Sequence, residues 1–245
     1  MQPTIVMTKR KASSAKYAII SDPHGNLHAL DAVLEDADRI GASVTLCAGD
    51  LVGYCAYPNE VVSALKKRNA FCVRGNHDRA VFTIESEWNM NPQAAAALRW
   101  TVKNVTEDTK EFLRGLRPWR DLTQLGLFPG IVGAGLFHGS PFDENEYVEE
   151  PFVNDAMMEV ADVQLVITGH THSPFVKCLA TGVWVNPGSV GQPRDFDWRA
   201  SYVIYDERTG TFEIRRLKYD VQAAADAIIR VGLPIQLSLR LFKGW

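Results

Sequence analysis

The sequence holds six histidines, and five of them lie in short polar motifs that follow apolar runs. The motifs are SDPHGN with Asp22 and His24, AGD ending on Asp50, RGNHD with Asn76, His77 and Asp78, FHGS with His138, and TGHTHS with His170 and His172. An isolated His-x-His is more often an ordinary loop pair, so the recurrence carries the inference. Oxygen and imidazole donors without a thiolate suit borderline divalent ions such as manganese, iron, nickel, cobalt or zinc. Asp22, His24, Asp50, Asn76, His77, His138, His170 and His172 are too many donors for one tetrahedral ion. The set predicts two divalent metal ions about 3.5–4 Å apart with one Asp shared between them. Two carboxylates offset only half the charge of such a pair. The pocket therefore favours an anion, and a phosphate ester fits best.

Residues this far apart meet only if the fold brings their motifs together. Tyr17–Ser21 reads as a buried strand, and Leu27, Leu30, Val33, Leu34, Ala37 and Ile40 recur at helical spacing before Gly41. Strand and helix then repeat through Val44–Ala48, a helix from Pro58 to Arg68, and Phe71–Val73. Ligands of parallel α/β sheets bind outside the carboxyl ends of the strands, where all five motifs fall. Residues 82–116 read as a long helical region ended by Pro118. Segments near 125–138, 163–168, 175–186 and 200–218 read as strands, with hairpins at Thr181-Gly182 and Glu207–Gly210. A helix from Val221 to Arg230 and a wrapped tail, GLPIQLSLRLFKGW, complete the chain. The expected fold is α/β: a four-layer α/β/β/α sandwich with two mixed β-sheets flanked by helices.

Composition narrows the function class. Hydrophobic residues make up 46% and charged residues 22% of 245, with a net charge of −3 and no 18-residue apolar stretch. These values exclude a membrane span and show no basic field for nucleic acid. Cys47, Cys55, Cys72 and Cys178 lack CxxC spacing and read as small buried hydrophobes of a reducing compartment. Residues 1–16 carry Lys9, Arg10, Lys11 and Lys16 without the apolar core of a secretory signal. They read as a flexible extension of a single 1–245 domain in the cytoplasm. The oligomeric state stays open.

The ordered motifs D-x-H, G-D, G-N-H-D, H and G-H-x-H resemble the calcineurin-like metallophosphoesterase superfamily. DLVGYCAYPNEVV at 50–62, NPGSVGQPRD at 186–195 and the closing GLP and RL segments are similar to its small bacterial and archaeal phosphoesterases, the diadenosine-tetraphosphatase-like subgroup. The resemblance implies that Asp22, His24 and His172 hold one metal and that Asn76, His138 and His170 hold the other. Asp50 would bridge them. It further implies hydrolysis of a small phosphate ester or nucleotide by a metal-bridging hydroxide, with manganese as the activating ion and His77 protonating the leaving group.

Other residues admit two readings each. Asp78 orients His77 or caps the following turn, the cap being favoured. Arg194 holds a substrate phosphate or a surface ion pair, while Tyr54 and Asn59 contact a leaving group or pack. His28 is expected to face solvent, and Thr171 to point away from the metals by strand-like alternation. Pro23 removes a backbone donor between Asp22 and His24, and Cys55 reads as an inert loop thiol. Competing functions are a protein phosphatase, although GDLVGY lacks the GDxxDRG pattern, a nuclease, disfavoured by charge, and a binding scaffold of the same fold.

Overall fold

The computed structural model describes residues 15–83 and 90–245. β1 (Lys16–Ile20) leads through α1 (Leu27–Ile40) to β2 (Val44–Cys47), and α2 (Pro58–Lys67) leads to β3 (Phe71–Cys72). Asn26 caps α1 by accepting the Ala29 N–H, and Gly41, at φ 81°, ends it in the left-handed conformation expected of a C′ glycine. β1, β2 and β3 are parallel, as short strand-helix alternation requires. β9 (Ala200–Asp206) and β10 (Thr211–Leu217) complete this sheet in the order β10-β9-β1-β2-β3, with β9 antiparallel to β1.

The second sheet runs β4-β5-β6-β8-β7. It contains β4 (Trp119–Asp121), β5 (Ala134–Phe137), β6 (Leu165–Ile167), β7 (Phe175–Cys178) and β8 (Val183–Asn186). β5, β6 and β8 are parallel, and β4 and β7 run antiparallel at the edges. The two sheets face each other through Tyr17, Ile19, Leu46, Leu136, Leu165, Ile167, Val183 and Val185. Ala18 and Ile20, one residue out of step, turn to the helices on the other face. Val166 and Trp184 likewise face the outer side of the second sheet, against Met158 of α6 (Asp155–Ala161). Both faces of each sheet are thus covered, so the inner strands read as unbroken apolar runs rather than alternating ones. This is the four-layer α/β/β/α arrangement the sequence predicts.

Several element boundaries differ from the sequence reading. The long helical region is two helices, α4 (Pro92–Asn104) and α5 (Glu107–Arg114), following the short α3 (Asn76–Ala80). Val105 turns to extended backbone and Thr106 caps α5 through the Thr109 N–H, so a new N-terminus forms where the apolar spacing alone runs on. α5 ends at Arg114, ahead of Pro118, and residues 84–89 of the expected helix lie outside the described residues. Most of 125–138 is turn and irregular loop, with β5 confined to its end, while β4 precedes it in a segment too short to show periodicity. The closing tail contains α8 (Ile235–Leu241), which follows α7 (Val221–Arg230) and packs on it. Lys16 belongs to β1 rather than to the N-terminal extension, whose residues 1–14 lie outside the described residues. Cys178 is exposed at the end of β7, unlike the buried Cys47, Cys55 and Cys72.

Candidate metal centre

All eight candidate donors converge at the carboxyl ends of five strands drawn from both sheets. Asp22 and His24 follow β1, Asp50 follows β2, and Asn76 and His77 open α3 after β3. His138 directly follows β5, and His170 and His172 follow β6. Three buried groups have ligand atoms within 4.8 Å of one another: Asp22, His24 and His172; His24, Asp50 and His77; and Asp50, His138 and His170. Asn76 joins the last through Oδ1, 3.0 Å from His138 Nε2.

The backbone is bent to achieve this. Asp22, His24, Asp50, Tyr54, His170 and His172 all have φ between 47° and 66°. For a non-glycine residue this conformation costs on the order of 1–3 kcal/mol and persists only where its surroundings hold it. The restraints are visible: Asp22 N–H donates to Gly49 O, His24 N–H to Asp50 O, and His170 N–H to Asp22 Oδ2 at 3.1 Å. Two glycines allow the close approach. A Cβ on Gly75 would lie 2.1 Å from Asp50 Oδ1, and one on Gly169 would lie 1.9 Å from Ser21 Oγ. Thr171 lies in a bend rather than in strand-like alternation, and its hydroxyl accepts from Asn186 Nδ2 at 3.0 Å rather than meeting any candidate ligand.

Four imidazoles share one design. His24 Nδ1 lies 3.1 Å from Val52 O, His138 Nδ1 2.7 Å from Ala48 O, and His172 Nδ1 2.5 Å from Gln192 O. His170 is turned the other way, with Nε2 3.1 Å from Asn145 O. A carbonyl oxygen only accepts, so each of these nitrogens carries the proton and the other nitrogen of the neutral ring offers a lone pair. Those lone pairs face acceptors. His24 Nε2 and His172 Nε2 are 3.2 Å apart, with Asp22 Oδ1 3.7 and 3.3 Å from them. Asp22 Oδ1 is buried with no hydrogen-bond partner, which is costly for a carboxylate oxygen. A cation among these atoms would satisfy all three at once, so the donor set fits a metal.

Asp50 stands between the groups. Its Oδ2 is 3.6 Å from His24 Nε2 and 3.5 Å from His138 Nε2, while its Oδ1 accepts the His77 N–H at 2.8 Å. One oxygen thus faces both triads, the geometry a shared carboxylate needs. Burial would raise the Asp22 and Asp50 carboxyls, but the neighbouring imidazoles, His172 beside Asp22 and His138 beside Asp50, hold both below the usual range. Burial lowers His24, His77 and His172, and takes His170 to about 3. His138 is the exception. Burial lowers it, yet the Asp50 carboxylate outweighs this and lifts it to about 9. The centre therefore presents ionised carboxylates and largely neutral imidazoles, the ligating forms, with unbalanced negative charge at His138.

His77 differs from the other four. Its Nδ1 is buried without a partner, and its ring packs against Tyr54 at 4.6 Å and edge-on to His24 at 4.9 Å. Asp78 does not orient it. The Asp78 carboxylate accepts the N–H groups of Gly75, Leu51 and Val52, capping α3 and tying down the loop after Asp50. Burial, with the Asp50 charge, raises that carboxyl to about 7.

A family profile for the calcineurin-like phosphoesterase superfamily domain matches residues 16–210, a span that takes in every one of these motifs. The chain belongs to the calcineurin-like phosphoesterase superfamily. An uncharacterised protein of Methanocaldococcus jannaschii is 37% identical over 246 residues, which cover 93% of this chain and 97% of that protein. The crystal structure of a metallophosphoesterase from Sphaerobacter thermophilus is 29% identical, with a TM-score of 0.79 over 95% of this chain and 100% of that one. A hypothetical protein from Pyrococcus horikoshii, 21% identical, shares the fold with a TM-score of 0.80 over 94% of this chain and 99% of its own.

Around this superfamily centre, Tyr54 is buried with its ring 4.7 Å from His24, and Arg194 Nη2 lies 3.5 Å from its hydroxyl. Arg194 makes no ion pair among the described residues, so the surface-pair reading fails. Asn59 is not in the site: it bonds Asn104 O and the Thr106 N–H where α4 meets α5. His28 is half-buried edge-on to Tyr57 rather than solvent-facing. Cys55 is buried, which pushes its thiol up to about 12, and Pro23 accepts the Asn26 N–H through its carbonyl. Sequence reasoning missed the 140–149 loop. Asn145 supplies the His170 carbonyl partner, and Tyr147 stacks on the His170 ring at 3.8 Å. A backbone carbonyl carries no side-chain signature, and nothing in the loop wording marks its contact with β6.

Proposed function

We propose that the chain is a phosphoesterase dependent on two divalent ions, manganese foremost, that hydrolyses a small phosphate ester or nucleotide in the cytoplasm. The observation that carries this reading is the convergence of His24 Nε2, His172 Nε2, His138 Nε2, Asn76 Oδ1, Asp22 Oδ1 and Asp50 Oδ2 in one buried cluster, in which Asp22 Oδ1 has no hydrogen-bond donor. Asp22, His24 and His172 would hold one ion, and Asn76, His138 and His170 the other, with Asp50 shared between them. When bound, such a pair supplies a nucleophilic water near neutral pH and offsets charge on the phosphoryl oxygens.

The chain's own residues do the rest. The carbonyls of Val52, Ala48, Gln192 and Asn145 fix which nitrogen each imidazole presents. His77 has no such carbonyl partner, and its ring sits against the centre, which suits it to deliver a proton to the leaving oxygen. Arg194 and Tyr54 line the adjoining wall, where a guanidinium can hold phosphate oxygens bidentately.

The test is a panel of p-nitrophenyl monoesters, p-nitrophenyl diesters and nucleotides with manganese-loaded protein, run beside His77→Ala. Metal-dependent hydrolysis is expected, with turnover in the variant reduced about 10²- to 10⁴-fold at unchanged metal content. Absence of turnover on every ester would refute the reading, and loss of metal from His77→Ala would show that His77 is a ligand instead.

A further inference from the structure

The closing helix, α8, carries apolar residues on two opposite faces. Leu237 and Leu241 are buried in the core cluster that also holds Tyr202 and Ile228. Ile235, Leu239 and Phe242 lie on the other face at i, i+4 and i+7, and they are 55%, 53% and 40% exposed. Residues at this spacing are neighbours on a helix, and Phe242, at φ −77° and ψ −17°, keeps the helical geometry. A helix that is apolar all round belongs in an interior, yet this stripe faces outward.

The residues after α8 continue the stripe. Trp245 is half-exposed, and its carbonyl oxygen accepts from Arg240 Nε at 2.5 Å. Phe196, 84% exposed, joins the tail through its N–H, which donates to Gly244 O at 2.7 Å. Its φ of 64° is a strained conformation for an aromatic residue and persists only where the surroundings hold it. The tail supplies that restraint. A Cβ on Gly244 would stand 2.6 Å from the Asp197 backbone, so glycine lets the tail close on the loop. The outcome is a large apolar ring fixed at the surface rather than buried.

We propose that α8, with Phe196 and Trp245, is the interface of a two-fold dimer between copies of this chain. The five side chains present on the order of 500 Å² of mainly apolar surface, at the upper end of what a monomer leaves open. A dimer of ordinary size buries about 800 Å² per protomer, and about 65% of a homodimer interface is apolar, which calls for a patch of this area. The stripe is also self-complementary about a two-fold axis: with Leu239 on the axis and two α8 helices antiparallel, Ile235 meets the partner's Phe242. A lipid surface suits it less, because a net charge of −3 gives no attraction to anionic headgroups. Phe196 lies two residues beyond Arg194, so the interface borders the wall of the metal centre.

The experiment is sedimentation velocity of the full chain from about 1 to about 100 µM, with dimer expected to dominate at the upper end. Leu239→Glu places a charge on the axis from both protomers and should raise the dissociation constant at least about 100-fold. Val160→Glu, at an exposed apolar position on α6 outside the stripe, should leave it unchanged. In wild-type protein alone, hydrogen exchange across residues 235–245 should slow as concentration rises, which keeps the test open if Leu239→Glu does not fold. Wild-type protein that stays monomeric, exchange independent of concentration, or a dimer untouched by Leu239→Glu in folded protein overturns the proposal. Monomer that binds vesicles of phosphatidylcholine and phosphatidylglycerol without self-association would give the stripe to lipid and overturn it as well.

Discussion

The two halves of the candidate metal centre are built from similar donors but supported differently. His24 and His172 are pinned by the carbonyls of Val52 and Gln192, both fully buried, and Asp22 is held by the turn after β1. In the other half, His138 leans on the buried Ala48, but His170 depends on Asn145, in an exposed loop. That loop is tied back through Glu144, which pairs with Arg74 at 3.2 Å and with Arg79, while Arg79 also donates to Asn145 Oδ1 at 2.9 Å. A ligand oriented by core backbone cannot relax without unfolding the core. One oriented by a clasped surface loop can, so the difference teaches that chemically alike donor groups can be held with unequal rigidity.

Asp50→Ala puts the comparison to its hardest test, because Asp50 belongs to both halves. Metal analysis after dialysis should show both ions lost together, and retention of two per chain would remove Asp50 from the bridge. Next in effect come the single histidines. His172→Ala should leave about one ion per chain, held by Asn76 and His138 with His170, and His170→Ala should leave about one in the opposite half. Spectra of the cobalt-loaded variants should then differ, since the surviving ligand sets differ. A smaller effect is expected from Glu144→Gln, which loosens the clasp without touching a ligand. The weaker of two stepwise manganese dissociation constants should rise about tenfold while the tighter one stays put. An equal change in both constants would mean that the loop only stabilises the fold.

Much of this centre is legible in the sequence because its information lies in side-chain identity. Asp22, His24, Asp50, Asn76, His138, His170 and His172 each end an apolar run, and strand ends converge in α/β sheets whatever the details of packing. The helices α1, α2 and α7 are equally plain, since their apolar spacing is undisturbed and their starts are marked by Asn26, Pro58 and Asp220. What was misread lacks that kind of signal. β4 is three residues long, Thr106 interrupts a continuous apolar pattern, and α8 hides in a segment framed by Pro234 and Gly244. His28 and Asn59 sit at plausible spacings, yet their neighbours come from elsewhere in the chain, Tyr57 for one and Asn104 with Thr106 for the other.

The sequence by itself determined the candidate donors, the superfamily and the layered α/β plan, because motif order and hydrophobic period are properties of the chain read along its length. Only the tertiary structure decided which nitrogen of each histidine faces the centre, which Asp50 oxygen lies near both His24 and His138, and that Arg194 stands beside Tyr54. Those facts depend on backbone carbonyls and on side chains brought together across two sheets. His138, His170 and His172 come from one sheet and Asp22, His24, Asp50 and Asn76 from the other, so the groups Asp22, His24 and His172 and Asp50, His138 and His170 exist only once the sheets have packed.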